Sequence, residues 1–295
     1  MATILETRRE RRAIDWRVAL VAASAVLAAI AVFTRAPIPQ DPSYHRFADS
    51  RVILGVPNGL NVLSNLAFAV VGGAGLWLLL RGRLALRDSR ERFPWLVFFG
   101  GVALTSAGSA WYHLAPSNET LIWDRLPMAF AFMGLLAVVV AERIDPRTAV
   151  RVLGPLVLAG IGGVLYWYAT ERSGSGDLRP YALVQFYPAL AIPLLLVLFP
   201  RPYTLASGFV GALGAYVLAK LAESKDAAIL GLGGLVSGHT LKHLLAAAGI
   251  GILVWMLVAR SRVDGVGSPV REPVSSRGKP GPDRFSSRAV PSPRA

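Results

Sequence analysis

Three histidines and an aspartate stand where apolar runs of the chain end or begin. His113 closes the run 94–113, Asp124 lies early in the run 121–141, and His239 and His243 open the run 239–259. His239 and His243 are four residues apart, so on a helix they stack on one face about 6 Å apart along the axis. Ser109 and His113 share that spacing. Three imidazoles with one open position are the donor set of a catalytic zinc site whose fourth ligand is water. Such a metal lowers the pKa of its water to about 7. Asp124 is then placed to take the proton, and Ser109 to donate a hydrogen bond to a developing oxyanion. The set suits hydrolysis of an amide or an ester. Plainer readings stand beside it: Asp124 as a fourth ligand or as the ion-pair partner of Arg125 or Lys242, and Ser109, next to Gly108, as a small packing residue. Bis-histidine haem is a further reading.

The elements that would carry these groups are membrane helices. Of 295 residues, 54% are hydrophobic and 17% charged, against about 25% charged in soluble domains, and mean hydropathy is +0.49. Apolar runs at 18–33, 61–80, 94–113, 121–141, 152–169, 181–199, 203–222 and 239–259 are mostly long enough to cross a bilayer core of about 30 Å. They predict an all-α polytopic transmembrane helix bundle, a seven-helix core with one extra N-terminal helix. The run 18–33 is the shortest, and Thr34-Arg35-Ala36 resembles a signal-peptidase site; an uncleaved helix is the preferred reading.

Of the 31 Lys and Arg, 22 fall in segments 1–17, 81–93, 141–151, 200–202 and 260–295, and only 8 in the alternate segments. This alternation places both termini in the cytoplasm and the histidines toward the outer face. It also accounts for the net charge of +13 without nucleic acid as a partner. The absence of cysteine excludes thiolate metal sites and catalytic thiols. The domains are expected at 1–17 (basic cytoplasmic head), 18–33 (extra helix), 34–260 (catalytic bundle) and 261–295. The last segment, rich in Ser, Pro, Gly and Arg, reads as a disordered basic tail.

Other polar groups are sorted by place. Asn58, Asn61, Ser64 and Asn65 share roughly one face at the outer end of the run 61–80; they either orient the bundle or support the site's ligands. Lys220 and Glu223 are spaced for an ion pair, Lys242 is expected to snorkel to the interface, and His45 receives no role. Val71-Gly72-Gly73-Ala74-Gly75 and Gly160-Ile161-Gly162-Gly163 would let helices approach closely.

The stretches Gly108-Ser109-Ala110-Trp111-Tyr112-His113, Trp123-Asp124-Arg125-Leu126-Pro127-Met128 and His239-x-x-x-His243 resemble the alkaline ceramidase family. These are seven-helix membrane amidases within a superfamily that also holds the progestin and adiponectin receptors. Asn61-Val62-Leu63-Ser64-Asn65 resembles the opening of that family's first core helix, and the resemblance covers roughly residues 44–258. It implies zinc on His113, His239 and His243, Asp124 as general base, Ser109 as oxyanion donor and Tyr187 as a further site tyrosine. The implied reaction cleaves the amide of ceramide or a related N-acyl lipid drawn from the bilayer. Family members with a calcium site carry several acidic residues before the first core helix. Here that region reads Phe47-Ala48-Asp49-Ser50-Arg51, and Asn58 stands where a glutamate is expected. One aspartate is a poor set of ligands for an ion that takes six to eight oxygens, so calcium is not expected. The alternative to an enzyme is a lipid-responsive receptor that keeps the metal without turnover. The short loops suggest a bacterial plasma membrane.

Overall fold

The computed structural model describes residues 15–263. The tail from 264 and the first fourteen residues of the basic head lie outside the described residues. Within them the chain is helical: α1 (Trp16–Phe33), α2 (Gly59–Leu63), α3 (Leu66–Leu80), α4 (Arg92–Leu114), α5 (Asn118–Arg143), α6 (Pro146–Arg172), α7 (Arg179–Leu198), α8 (Ser207–Ser224), α9 (Asp226–Gly233) and α10 (Gly238–Ala259). Among the described residues there is no β-strand, only two isolated bridges. Among the described residues seven helical segments are long and apolar enough to cross a membrane: α1, α2 with α3, α4, α5, α6, α7 and α10. The chain is thus an all-α polytopic bundle of an integral membrane protein. The eighth expected span, α8, is not among the seven because Lys220 and Glu223 lower its apolar character. It nevertheless accompanies α10 along its length. A Cβ at Gly208 would strike Met256, Gly249 lies against Ala212 and Ala215, and Gly238 against the Ala222 carbonyl.

The sequence breaks the run 61–80 for a local reason. Ser64 Oγ and Asn65 Nδ2 both donate to the Asn61 carbonyl, at 3.1 and 2.7 Å. The Asn65 amide turns instead to Val62 O, at 3.2 Å. Side chains that satisfy a helical carbonyl compete with the ladder and interrupt it, which separates α2 from α3. Asn58 begins α2 in the left-handed region, φ 50°.

α4 and α5 form the tightest pair, and its contact is set by Pro127 and Gly108. Pro127 has no amide proton to give the Trp123 carbonyl one turn back. Gly108 packs where that oxygen stands: a Cβ there would lie 2.0 Å from it. The Gly-Ser and Asp-Arg-Leu-Pro stretches therefore meet across one helix–helix contact. In the glycine clusters only one face is used: Gly72 lies on the Ala103 backbone and Gly75 on Phe99, while Gly73 and Gly162 meet nothing. α1 has no buried residue and docks on α7.

Gly108→Ala should push α4 from α5 and lower stability by about 1–3 kcal/mol, read as a drop in thermal unfolding temperature in detergent. Gly73→Ala, into open space, should melt like wild type.

Candidate metal centre

His113 lies in the last turn of α4, and His239 and His243 in the first turns of α10. All three are buried, at 1%, 4% and 3% exposure. Their ring centroids form a nearly equilateral triangle with sides of 4.8, 5.0 and 5.0 Å. One nitrogen from each lies within 4.8 Å of the other two, so the group could hold a metal ion. The Nε2 atoms of His113 and His239 face each other at 3.3 Å.

The start of α10 is built to hold this geometry. Ser237 is fully buried and accepts from the Thr240 amide at 3.2 Å, capping the helix. Gly238 lets α10 begin against the end of α8. Asp226, first residue of α9, accepts from the amides of His239 at 2.7 Å and Ala48 at 2.9 Å. It thereby ties the loop before α2 to the ligand helix. On that loop Phe47 sits 4.7 Å from both the His113 and His239 rings and covers them.

The polar face of α2 supports the cluster directly. Ser64 Oγ lies 2.7 Å from His243 Nδ1. Its single proton goes to the Asn61 carbonyl, so it accepts from Nδ1–H and leaves the Nε2 lone pair free. Asn61 accepts from Thr240 Oγ1 at 2.8 Å and donates to the Asp49 carbonyl at 3.1 Å. Asn58 donates to the His113 carbonyl at 2.8 Å. These amides thus both orient the bundle and position the ligands.

Ser109 and Asp124 adjoin across the α4–α5 contact and line one cavity with His243, of about 270 Å³. Leu135 and Leu253 line the same cavity. They stand 11 and 10 residues beyond Asp124 and His243, so its apolar part runs about 15 Å along the bundle. α7 and α8, which form one wall, touch sparsely; Gln185 Nε2 reaches Tyr216 Oη across the gap at 3.2 Å.

Tyr187 is not brought to the histidines. Its hydroxyl donates to the Val21 carbonyl at 3.1 Å and lies 3.2 Å from Ser24 Oγ. The residue faces α1 because α7 turns Tyr181 and Gln185 to the cavity instead. Lys242 does not snorkel: its ammonium donates to Glu223 at 2.9 Å and to His239 Nε2 at 2.9 Å. Glu223 also pairs with Lys220, so the expected ion pair is one side of a three-residue cluster on the cavity wall. The spacing of Lys220 and Glu223 signalled their pair; nothing in it signalled Lys242, which joins from another helix. His45 bridges Tyr112 and Asn118 at 3.0 Å each and ties the loop before α2 to α4 and α5. Arg51 binds Asp49 through Nε and Nη2, at 2.8 and 2.7 Å, and its guanidinium holds that buried carboxyl below the usual carboxylate range.

A scan against protein-family models and a search of curated proteins each returned no match.

Purified wild type should bind close to one divalent cation per chain, and His239→Ala none, by mass spectrometric metal analysis. Ser64→Ala removes the partner of a ligand imidazole and should weaken metal binding about 10- to 100-fold in a chelator competition.

Proposed function

We propose that this chain is a zinc-dependent membrane amidohydrolase of the alkaline ceramidase kind, which cleaves the amide of ceramide or a related N-acyl lipid. The observation that carries the reading is a cluster of three buried imidazoles, one of which, His243, lines a deep apolar cavity together with Asp124 and Ser109. The donor set fits zinc. Three nitrogen ligands, with water as the fourth, would match catalytic zinc sites. Two Nε2 atoms 3.3 Å apart also match the tetrahedron edge of about 3.3 Å that Zn–N bonds of 2.0–2.1 Å require. Lys242 keeps Glu223 as a partner when the His239 lone pair goes to a cation.

Held by His113, His239 and His243, zinc would supply a nucleophile at neutral pH by acidifying water, and would polarise the carbonyl. The protein's own groups do the rest. Asp124 takes the proton released as water adds to the amide carbon. It returns that proton to nitrogen as the C–N bond breaks, so a free amine and a fatty acid leave. Ser109 donates a hydrogen bond to the carbonyl oxygen as it gains negative charge. The apolar depth of the cavity suits an acyl chain, and the thin α7–α8 contact favours entry from the lipid side. The alternating Lys and Arg support an outward-facing site with both termini in the cytoplasm, and the short loops favour a bacterial plasma membrane.

Asp124→Asn separates this reading from a lipid-responsive receptor that keeps the metal. An enzyme should lose about 10²- to 10⁴-fold in turnover of a fluorescent ceramide at unchanged metal content. Metal-loaded wild type that cleaves neither ceramide nor other N-acyl lipids would overturn the hydrolase and favour the receptor.

A further inference from the structure

The end of the bundle remote from the histidines carries an excess of arginine that the proposed chemistry does not use. α5 joins the two ends: Asp124 and Arg143 are 19 residues apart, about 28 Å along the helix. At the remote end two buried carboxylates are already engaged. Glu91 accepts from Arg87 at 3.0 Å and from Tyr203 Oη at 2.6 Å. Glu142 accepts from Arg260 at 2.6 Å. Arg143 is left over. Its side chain is 7% exposed, Nη1 donates to the Phe199 carbonyl at 3.2 Å, and its Nε has no partner. Glu142, next to it in the chain, attracts its charge but is already bound by Arg260, and Arg201, on the loop between α7 and α8, stands close enough for the two guanidinium charges to repel. Among the described residues neither forms a salt bridge.

Both arginines line one groove of about 290 Å³. Its other walls are apolar, from Leu196, Phe199 and Val210, and it reaches Ser207 at the start of the 18-residue α8. A buried guanidinium with an unused donor beside a second guanidinium is unfavourable without an anion. Arginine forks match phosphate oxygens; the Gly208 and Phe209 amides in the first turn of α8 already donate to Leu205 and Ala206, so the arginines are the donors of this groove. Free phosphate would leave the apolar walls uncovered. A phospholipid covers them, and the groove lies where α5, α7 and α8 end or begin, at headgroup depth for membrane helices.

We infer that Arg143 and Arg201 bind the phosphate of an anionic phospholipid, whose acyl region packs on Leu196, Phe199 and Val210. The test uses delipidated full-length protein in neutral detergent, titrated with phosphatidylglycerol, phosphatidylcholine or inorganic phosphate, and read by native mass spectrometry and thermal shift. Arg201 is exposed, so Arg201→Gln leaves the fold in place; Arg143→Lys keeps the charge but not the fork. Arg83→Gln removes an exposed arginine elsewhere at this end. Wild type and Arg83→Gln should prefer phosphatidylglycerol over the other two probes, and Arg201→Gln and Arg143→Lys should bind it about tenfold more weakly or worse. Should Arg143→Lys fail to fold, Arg201→Gln alone decides. Equal phosphatidylglycerol binding by wild type and Arg201→Gln would overturn the site. So would a response to inorganic phosphate as strong as that to the lipid, which would mark a free-anion site.

Discussion

A buried imidazole has two ring nitrogens, and inside an apolar bundle each unsatisfied one is costly. Three such rings packed against each other bring six nitrogens into a volume without room for a solvent shell. Much of the histidine end of this protein answers that demand. Ser64 takes Nδ1 of His243, Lys242 donates to Nε2 of His239, and one nitrogen of each ring lies within 4.8 Å of the other two, so that the group could hold a metal ion. The break between α2 and α3 belongs to the same solution. The side chains that interrupt the helix are neighbours on the face that supports His243 and Thr240.

Convergence of the rings requires close backbones. α4 brings His113 and Ser109, α5 brings Asp124, and α10 brings the other two histidines. Gly108 lets α4 sit on the carbonyl that Pro127 frees in α5, and Gly238 lets α10 start against α8. Side chains at these positions would push the helices apart and separate the three rings. The glycines and the proline are therefore part of the site although none carries a reactive group.

The two ends of the bundle handle charge differently. At the histidine end, positive and negative groups are mixed: Lys242 and Lys220 share Glu223, and Arg125 is held between the Trp167 and Tyr181 rings, at 4.0 and 4.8 Å. The apolar cavity begins at this mixed end, as a site for a neutral polar group attached to a long chain would. At the other end each buried carboxylate has an arginine, and arginine remains in excess. Part of that excess, Arg143 and Arg201, lines one groove with apolar walls.

Periodicity and composition determined the helices. Long apolar runs have one structural solution in a bilayer, because the backbone must satisfy its own hydrogen bonds there. The spacing of His239 and His243, and of Ser109 and His113, determined which groups share a helix face. Placement across helices was not legible in this way. Tyr187 and Tyr181 lie on one helix six residues apart, and only the rotation of α7 against α1 and α8 decided that Tyr181 faces the cavity and Tyr187 faces Ser24. Lys242, which by hydropathy alone belongs at the interface, turned inward because Glu223 on α8 offered a partner there. Local pattern determines what a segment becomes and which residues travel together on it. The partner each one meets depends on helix rotation and close approach, and those are properties of the packed bundle.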